Sequence, residues 1–154
     1  MKQRVYIDTS VVGGFFDEEF KEVTVRLFHR WESDQLIFVV SDLLELELMN
    51  APKHVRELLD NYSPEKFERI EFTEEASNLA DGYILAGVVG KTSIEDCRHI
   101  ALASIYKVDV LASWNFKHIV NLDRIKGYNS VNLRQGYAML EIRSPKDLID
   151  YENE

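Results

Sequence analysis

The chain has 154 residues, 45% of them hydrophobic, and a formal net charge of −9 at pH 7. That length supports one core of ordinary size rather than two, and the expected division is a single domain over residues 1–150 with a short flexible tail at 151–154. With 27 Asp plus Glu against 18 Lys plus Arg, a generally basic surface is excluded, so nucleic acid could be engaged only through a local patch.

The single cysteine, Cys97, allows neither an internal disulfide nor a zinc cluster. No apolar run approaches the roughly 18 residues of a membrane span, and the first residues lack a signal pattern. The sequence therefore predicts a soluble, cytoplasmic protein with no membrane role.

Arg4-Val5-Tyr6-Ile7 is a short β-prone run that stops at Asp8-Thr9-Ser10, with Gly13-Gly14 beyond it, the pattern of a buried strand entering a loop. Val23, Leu27, Phe28 and Trp31 fall at helical spacing within 21–34, and 36–40 is again a strand, followed by Ser41 as a helix N-cap. Pro52 and Pro64 bracket a short helical segment, while 67–72 fits either an extended or a helical piece. Thr73 opens a helix to Ala86 with Glu74 and Glu75 in its first turn, where the dipole favours carboxylates. A helix from Ser93 to Tyr106, a strand over 108–112, a helix over 121–135, a last strand at Met139 to Ile142 and a short terminal helix from Pro145 complete the chain. Such alternation predicts a three-layer α/β/α sandwich around a mostly parallel sheet.

In that architecture ligands bind beyond the carboxyl ends of the strands, which is where Asp8 stands. An Asp there also makes turns. On the helix after Ser41, at about 100° per residue, Glu47 projects near 240°, between Leu43 and Ala51, while Asp42 and Glu45 lie on the opposite, solvated side. A carboxylate within an apolar arc loses hydration and needs a cation or donor. Asp96 similarly borders the buried face of the helix from Ser93. Its plainer reading is a reciprocal cap, Ser93-x-x-Asp96. Three acids gathered at one sheet edge would repel unless divalent cations neutralise them, and an all-oxygen site suits Mg²⁺ or Mn²⁺. Gly87 and Gly90-Lys91-Thr92 do not have the spacing of a phosphate-binding P-loop.

Tyr6-Ile7-Asp8-Thr9-Ser10-Val11, Val40-Ser41 leading to Glu47, Asp96-Cys97-Arg98-His99-Ile100-Ala101-Leu102-Ala103, Leu111-Ala112-Ser113-Trp114-Asn115-Phe116 and Ile142-Arg143-Ser144-Pro145 occur in this order. Together they resemble the PIN-domain nucleases, and among them the VapC-like toxins of toxin–antitoxin pairs. The resemblance implies a PIN-like fold and a metal-dependent endoribonuclease acting on RNA. It also implies a homodimer and a small antitoxin protein as partner. It assigns Asp8, Glu47 and Asp96 as catalytic ligands of Mg²⁺ or Mn²⁺. Relatives commonly carry a fourth acid after the strand at 108–112; here Asn115 stands in that loop and His118 follows where some have Asp. An amide brings hydrogen bonds but no charge, so Asn115 is expected to orient water or substrate, with a second metal held weakly.

Thr9, Ser10, Ser113, Trp114 and Lys117 are the candidate substrate contacts, Trp114 either as a base-stacking platform or as a packed ring. His99 either hydrogen-bonds Asp96, three residues before it, or is an ordinary surface or supporting histidine, and Asp123 is the lesser candidate to reach back toward the site. Lys91, Lys117, Arg124, Lys126 and Arg134 can engage phosphate or form a solvated surface. The missing acid and the acidic surface leave an alternative: a catalytically weakened PIN-like module that binds RNA or a protein. Charge is unevenly divided, with 9 basic and 17 acidic residues in 1–77 against 9 and 10 in 78–154, and 5 basic against 2 acidic in 107–134. A polyanion would therefore approach along the last of these stretches, with strong salt sensitivity only if it faces the cleft.

Overall fold

The computed structural model describes residues 1–149; the tail expected at 151–154 lies outside them. Five strands, β1 (Gln3–Ile7), β2 (Leu36–Ser41), β3 (Phe67–Ile70), β4 (Val110–Ala112) and β5 (Ile142–Arg143), form one sheet in the order β3-β2-β1-β4-β5. Every pairing is parallel. Helices α1 (Thr9–Gly14), α2 (Lys21–Glu32), α3 (Asp42–Leu48), α4 (Lys53–Arg56), α5 (Glu74–Leu85), α6 (Ile94–Ile105) and α7 (Leu122–Arg134) cover it.

Strand alternation divides the interior into two cores. Tyr6 pairs with Val39 on one side and Leu111 on the other, and all three face a layer built from α5, α6 and α7, with Leu79, Tyr83, Ile100, Ala103 and Tyr128. Val5, Ile7, Phe38, Val40 and Val110 face the opposite layer, where Val11, Leu27, Phe28, Trp31 and Trp114 pack. Sheet and two helical layers make the three-layer α/β/α sandwich expected from the alternation of elements.

Three segments differ from the sequence reading, and a fourth, left there as extended or helical, takes the first of those forms. Residues 9–14, expected as a loop, form α1, because Asp8 caps it by accepting from Val11 N at 3.2 Å and both glycines are helical. Gly14 is required there: a Cβ would lie 2.7 Å from Trp114 Nε1 and 2.9 Å from Thr24 Oγ1. Residues 67–70 are extended and pair with β2. The last strand begins at Ile142 rather than Met139. Leu140 is instead held by a side chain, since Asn129 Oδ1 accepts from its N–H at 2.7 Å and Asn129 Nδ2 donates to its C=O at 3.1 Å. Pro145 opens a 3-10 turn to Leu148, whose carbonyl accepts from Arg30. Among the described residues no helix is long and apolar enough to cross a membrane.

A candidate active site at the sheet switch point

From β1 the chain steps outward through β2 to β3, then crosses to β4 and β5 on the other side of β1. The carboxyl ends of β1 and β4 therefore flank a topological switch point, where open α/β sheets bind ligands. Asp8 leaves β1 there and Ser113 leaves β4.

Asp8 is only 4% exposed. Its Oδ1 accepts from Ser10 Oγ at 2.6 Å and its Oδ2 from Ser113 Oγ at 2.6 Å. Ser10 Oγ in turn accepts from Trp114 N at 2.8 Å, and Ser113 Oγ from Asn115 N at 3.0 Å. The loop after β4 is thus fastened to the acid by two hydroxyls. Burial pushes the Asp8 carboxyl above the usual carboxylate range, against the opposing effects of His99 and these hydrogen bonds.

Asp96 sits in the first turn of α6 and is half-buried. Ser93 makes no side-chain cap, so the reciprocal cap that offered Asp96 a purely local role is not formed. Burial raises the Asp96 pKa, and the Asp8 carboxylate raises it further. Asn115 Nδ2 approaches Asp96 Oδ2 at 3.4 Å. Asn115 Oδ1 accepts from Lys117 N at 3.1 Å and His118 N at 2.9 Å, forming a turn that commits its oxygen and leaves its amide hydrogens toward Asp96. Thr9 Oγ1, beside Asp8 in sequence, and His118 Nδ1 are buried atoms without a hydrogen-bond partner.

Glu47 has the donor that its place in an apolar arc demands. The donor is His99, whose Nε2 pairs with Glu47 Oε1. His99 Nδ1 meets Tyr6 Oη at 2.5 Å, and that hydroxyl meets Ser41 Oγ at 2.8 Å. Ser41 Oγ also accepts from Leu44 N at 3.2 Å as the N-cap of α3. Burial alone would lower the His99 pKa, but Glu47, Asp8 and Asp96 outweigh it and the net direction is up. Of the two readings of His99, these contacts favour the supporting histidine over a bond to Asp96, and they are made across elements far apart in sequence.

Of the two acids expected to be solvated, Glu45 is exposed and takes Arg69 in a two-pronged surface pair at 2.7 and 2.8 Å, whereas Asp42 is half-buried and its Oδ1 accepts from Phe72 N at 2.9 Å. Trp114 is a packed ring: it is 5% exposed, stacks on Phe20 at 4.2 Å between centroids and donates from Nε1 to Thr24 Oγ1 at 3.0 Å. The exposed ring of that loop is Phe116, which composition alone had not separated from core aromatics. Lys91, Lys117, Lys126 and Arg134 are exposed, whereas Arg124 donates to the Val88 carbonyl. Asp123 is exposed in the first turn of α7. Among the described residues no group of three or more His, Cys, Asp or Glu side chains is arranged to hold a metal ion. Glu47 is directed to His99, and the acids at the switch point are Asp8 and Asp96.

Neither a family model nor a curated protein sequence matches the chain. Solved structures do match. A toxin–antitoxin complex from Klebsiella pneumoniae is 15% identical with a TM-score of 0.55, over 73% of this chain and 88% of that one. The Sarcin-Ricin loop cleaving toxin VapC20 of Mycobacterium tuberculosis is 12% identical with a TM-score of 0.56, over 73% and 91%. FitAcB from Neisseria gonorrhoeae is 14% identical with a TM-score of 0.57, over 92% and 98%. Identities this low speak for the backbone alone, and the backbone of this chain has the three-layer PIN-like fold of the VapC-type toxin–antitoxin proteins.

Proposed function

We propose that the chain is a divalent-cation-dependent endoribonuclease of PIN type and the toxin of a toxin–antitoxin pair, working as a homodimer. The observation that carries this reading is the pair Asp8 and Asp96, two carboxylates set at the switch point with ionisation disfavoured by burial and, for Asp96, by Asp8. Their donors are hard oxygens, and Mg²⁺ is commonly bound through one or two carboxylates with several waters retained. The residues fit such an ion without a third ligand. Asp8 and Asp96 would hold Mg²⁺ or Mn²⁺, with Glu47 as the third acid of the set.

When bound, the ion supplies Lewis-acid polarisation of a phosphoryl oxygen and a nucleophilic water near neutral pH. The chain's own groups do the rest. Ser10 and Ser113 fix both Asp8 oxygens, so its carboxylate is preorganised rather than free to rotate. Asn115 directs amide hydrogens toward Asp96, where they can orient a water or a phosphate oxygen. Lys117, exposed two residues further on, offers a cation to the backbone of the substrate. The Thr9 hydroxyl, lacking a partner, adds a donor beside Asp8.

The test is cleavage of single-stranded and structured RNA, with DNA of the same sequence beside them, by purified protein with and without Mn²⁺. Loss of Mn²⁺-dependent RNA cleavage in both Asp8→Asn and Asp96→Asn is expected. Full activity in either variant refutes the assignment. A second reading, a PIN-like module that binds RNA or a protein without cutting, is favoured by one observation: no group of three or more potential metal ligands exists among the described residues. Absence of Mn²⁺ binding by calorimetry, together with retained RNA binding, would establish it.

A further inference from the structure

Tyr6, Ser41 and His99 are buried polar side chains that the proposed chemistry does not use, yet they touch one another in a single file. Starting from Glu47 on α3, the contacts run to His99 on α6, to Tyr6 on β1, and to Ser41 at the end of β2. Ser41 then caps the helix that carries Glu47, so the path closes on itself. His99 is 2% exposed and has both ring nitrogens occupied, which leaves it no lone pair for a metal and no route to water. Glu47 is different. Its side chain is 32% exposed, and a long acid at that exposure would extend to solvent unless something held it. Of the four elements joined by the file, α3 bears Glu47, α6 bears Asp96 and β1 adjoins Asp8.

Resting on the site reading above, we propose that His99 is a positioning residue that holds Glu47 by one oxygen and is itself oriented by Tyr6 and Ser41. Only Glu47 Oε1 is taken by the ring, so Oε2 remains for a cation or a water. Hydrogen-bonded partners behind a ligating carboxylate fix its direction, and their loss typically weakens metal affinity by about 10- to 100-fold.

Mn²⁺ titration followed by electron paramagnetic resonance, alongside thermal unfolding in EDTA, tests this in the full chain. His99→Leu is expected to weaken Mn²⁺ binding by roughly 10- to 100-fold. His99→Gln, whose amide can reach the Nε2 position, should recover most of the affinity even where its midpoint falls. Tyr6→Phe removes only the hydroxyl behind the ring and should give a smaller loss. If His99→Leu does not fold, the Gln and Phe variants carry the comparison. Unchanged affinity in a folded His99→Leu, or equal loss in the Leu and Gln variants, overturns the positioning role. Absence of Mn²⁺ binding in the unmutated protein overturns the site reading and this inference with it, whereas binding that is lost in Asp8→Asn but indifferent to His99 overturns the inference alone.

Discussion

Gly14→Ala probes how tightly the loop after β4 is seated. An added Cβ would lie 2.7 Å from Trp114 Nε1, 2.8 Å from Trp114 Cδ1 and 2.9 Å from Thr24 Oγ1. The indole cannot retreat, because it is buried against Phe20 and tied to Thr24. Overpacking of this kind costs about 1–3 kcal/mol, and parting Trp114 from Thr24 leaves a buried donor unpaired for roughly another 1–3 kcal/mol. Alanine returns about 1 kcal/mol through its helix propensity. The expected net loss is about 3 kcal/mol, or about 6–12 °C in Tm for a chain of this size. Gly13→Ala is the internal control: nothing lies within 4 Å of its Cβ, so the same helix should gain up to about 1 kcal/mol. Urea unfolding of both variants, read by circular dichroism, gives the difference directly. Midpoints for Gly14→Ala and Gly13→Ala that coincide would refute the reasoning. Because Trp114 N donates to the hydroxyl that holds Asp8, Gly14→Ala should also lower cleavage activity while Gly13→Ala leaves it unchanged.

Asp8→Asn should hold or raise the thermal midpoint of the metal-free protein at pH 7, since burial already disfavours the charged carboxyl; a clear fall in differential scanning calorimetry would contradict that. Asn129→Leu strips both hydrogen bonds from the buried backbone of Leu140 and should cost about 2–4 kcal/mol in denaturant unfolding. Glu45 is held below its ordinary value of 4.5 by the Arg69 hydrogen bond, against burial and aided by the Arg69 charge. Its folded pKa is the lower one, so the stability it contributes is present above that ordinary value and is lost as the pH falls through the lowered one. The stability difference between the unmutated protein and Glu45→Gln should therefore vanish in acid. A difference independent of pH would show that the pair does not couple to folding.

Local pattern was enough for the strands that carry the site. A β-prone run ended by Asp8 and a strand ended by a capping Ser41 are short-range signals, and both elements form as expected. The projection that set Glu47 in an apolar arc was a physical demand for a donor, and the structure supplies one. What pattern could not supply was the donor's identity. His99 reaches Glu47 only because parallel pairing sets β1 between β2 and β4 and brings α6 over Tyr6, an arrangement fixed by long-range packing. The miss at α1 has a different origin. Gly13-Gly14 reads locally as a turn, but the second glycine is there for the indole that comes against it from a hundred residues away. The displaced last strand follows likewise from a side chain, Asn129, standing in for a backbone neighbour.

Both tryptophans of the chain, Trp31 and Trp114, lie in the same core, on the side of α1 and α2. The opposite core, under α5, α6 and α7, has tyrosines Tyr6, Tyr83 and Tyr128 instead. Indole fluorescence consequently watches one layer while remaining blind to the other, and far-ultraviolet dichroism sees both. Coincident transitions by the two probes would mean that the layers melt as one cooperative unit. Separated transitions would identify which side of the sheet lets go first, without a single substitution.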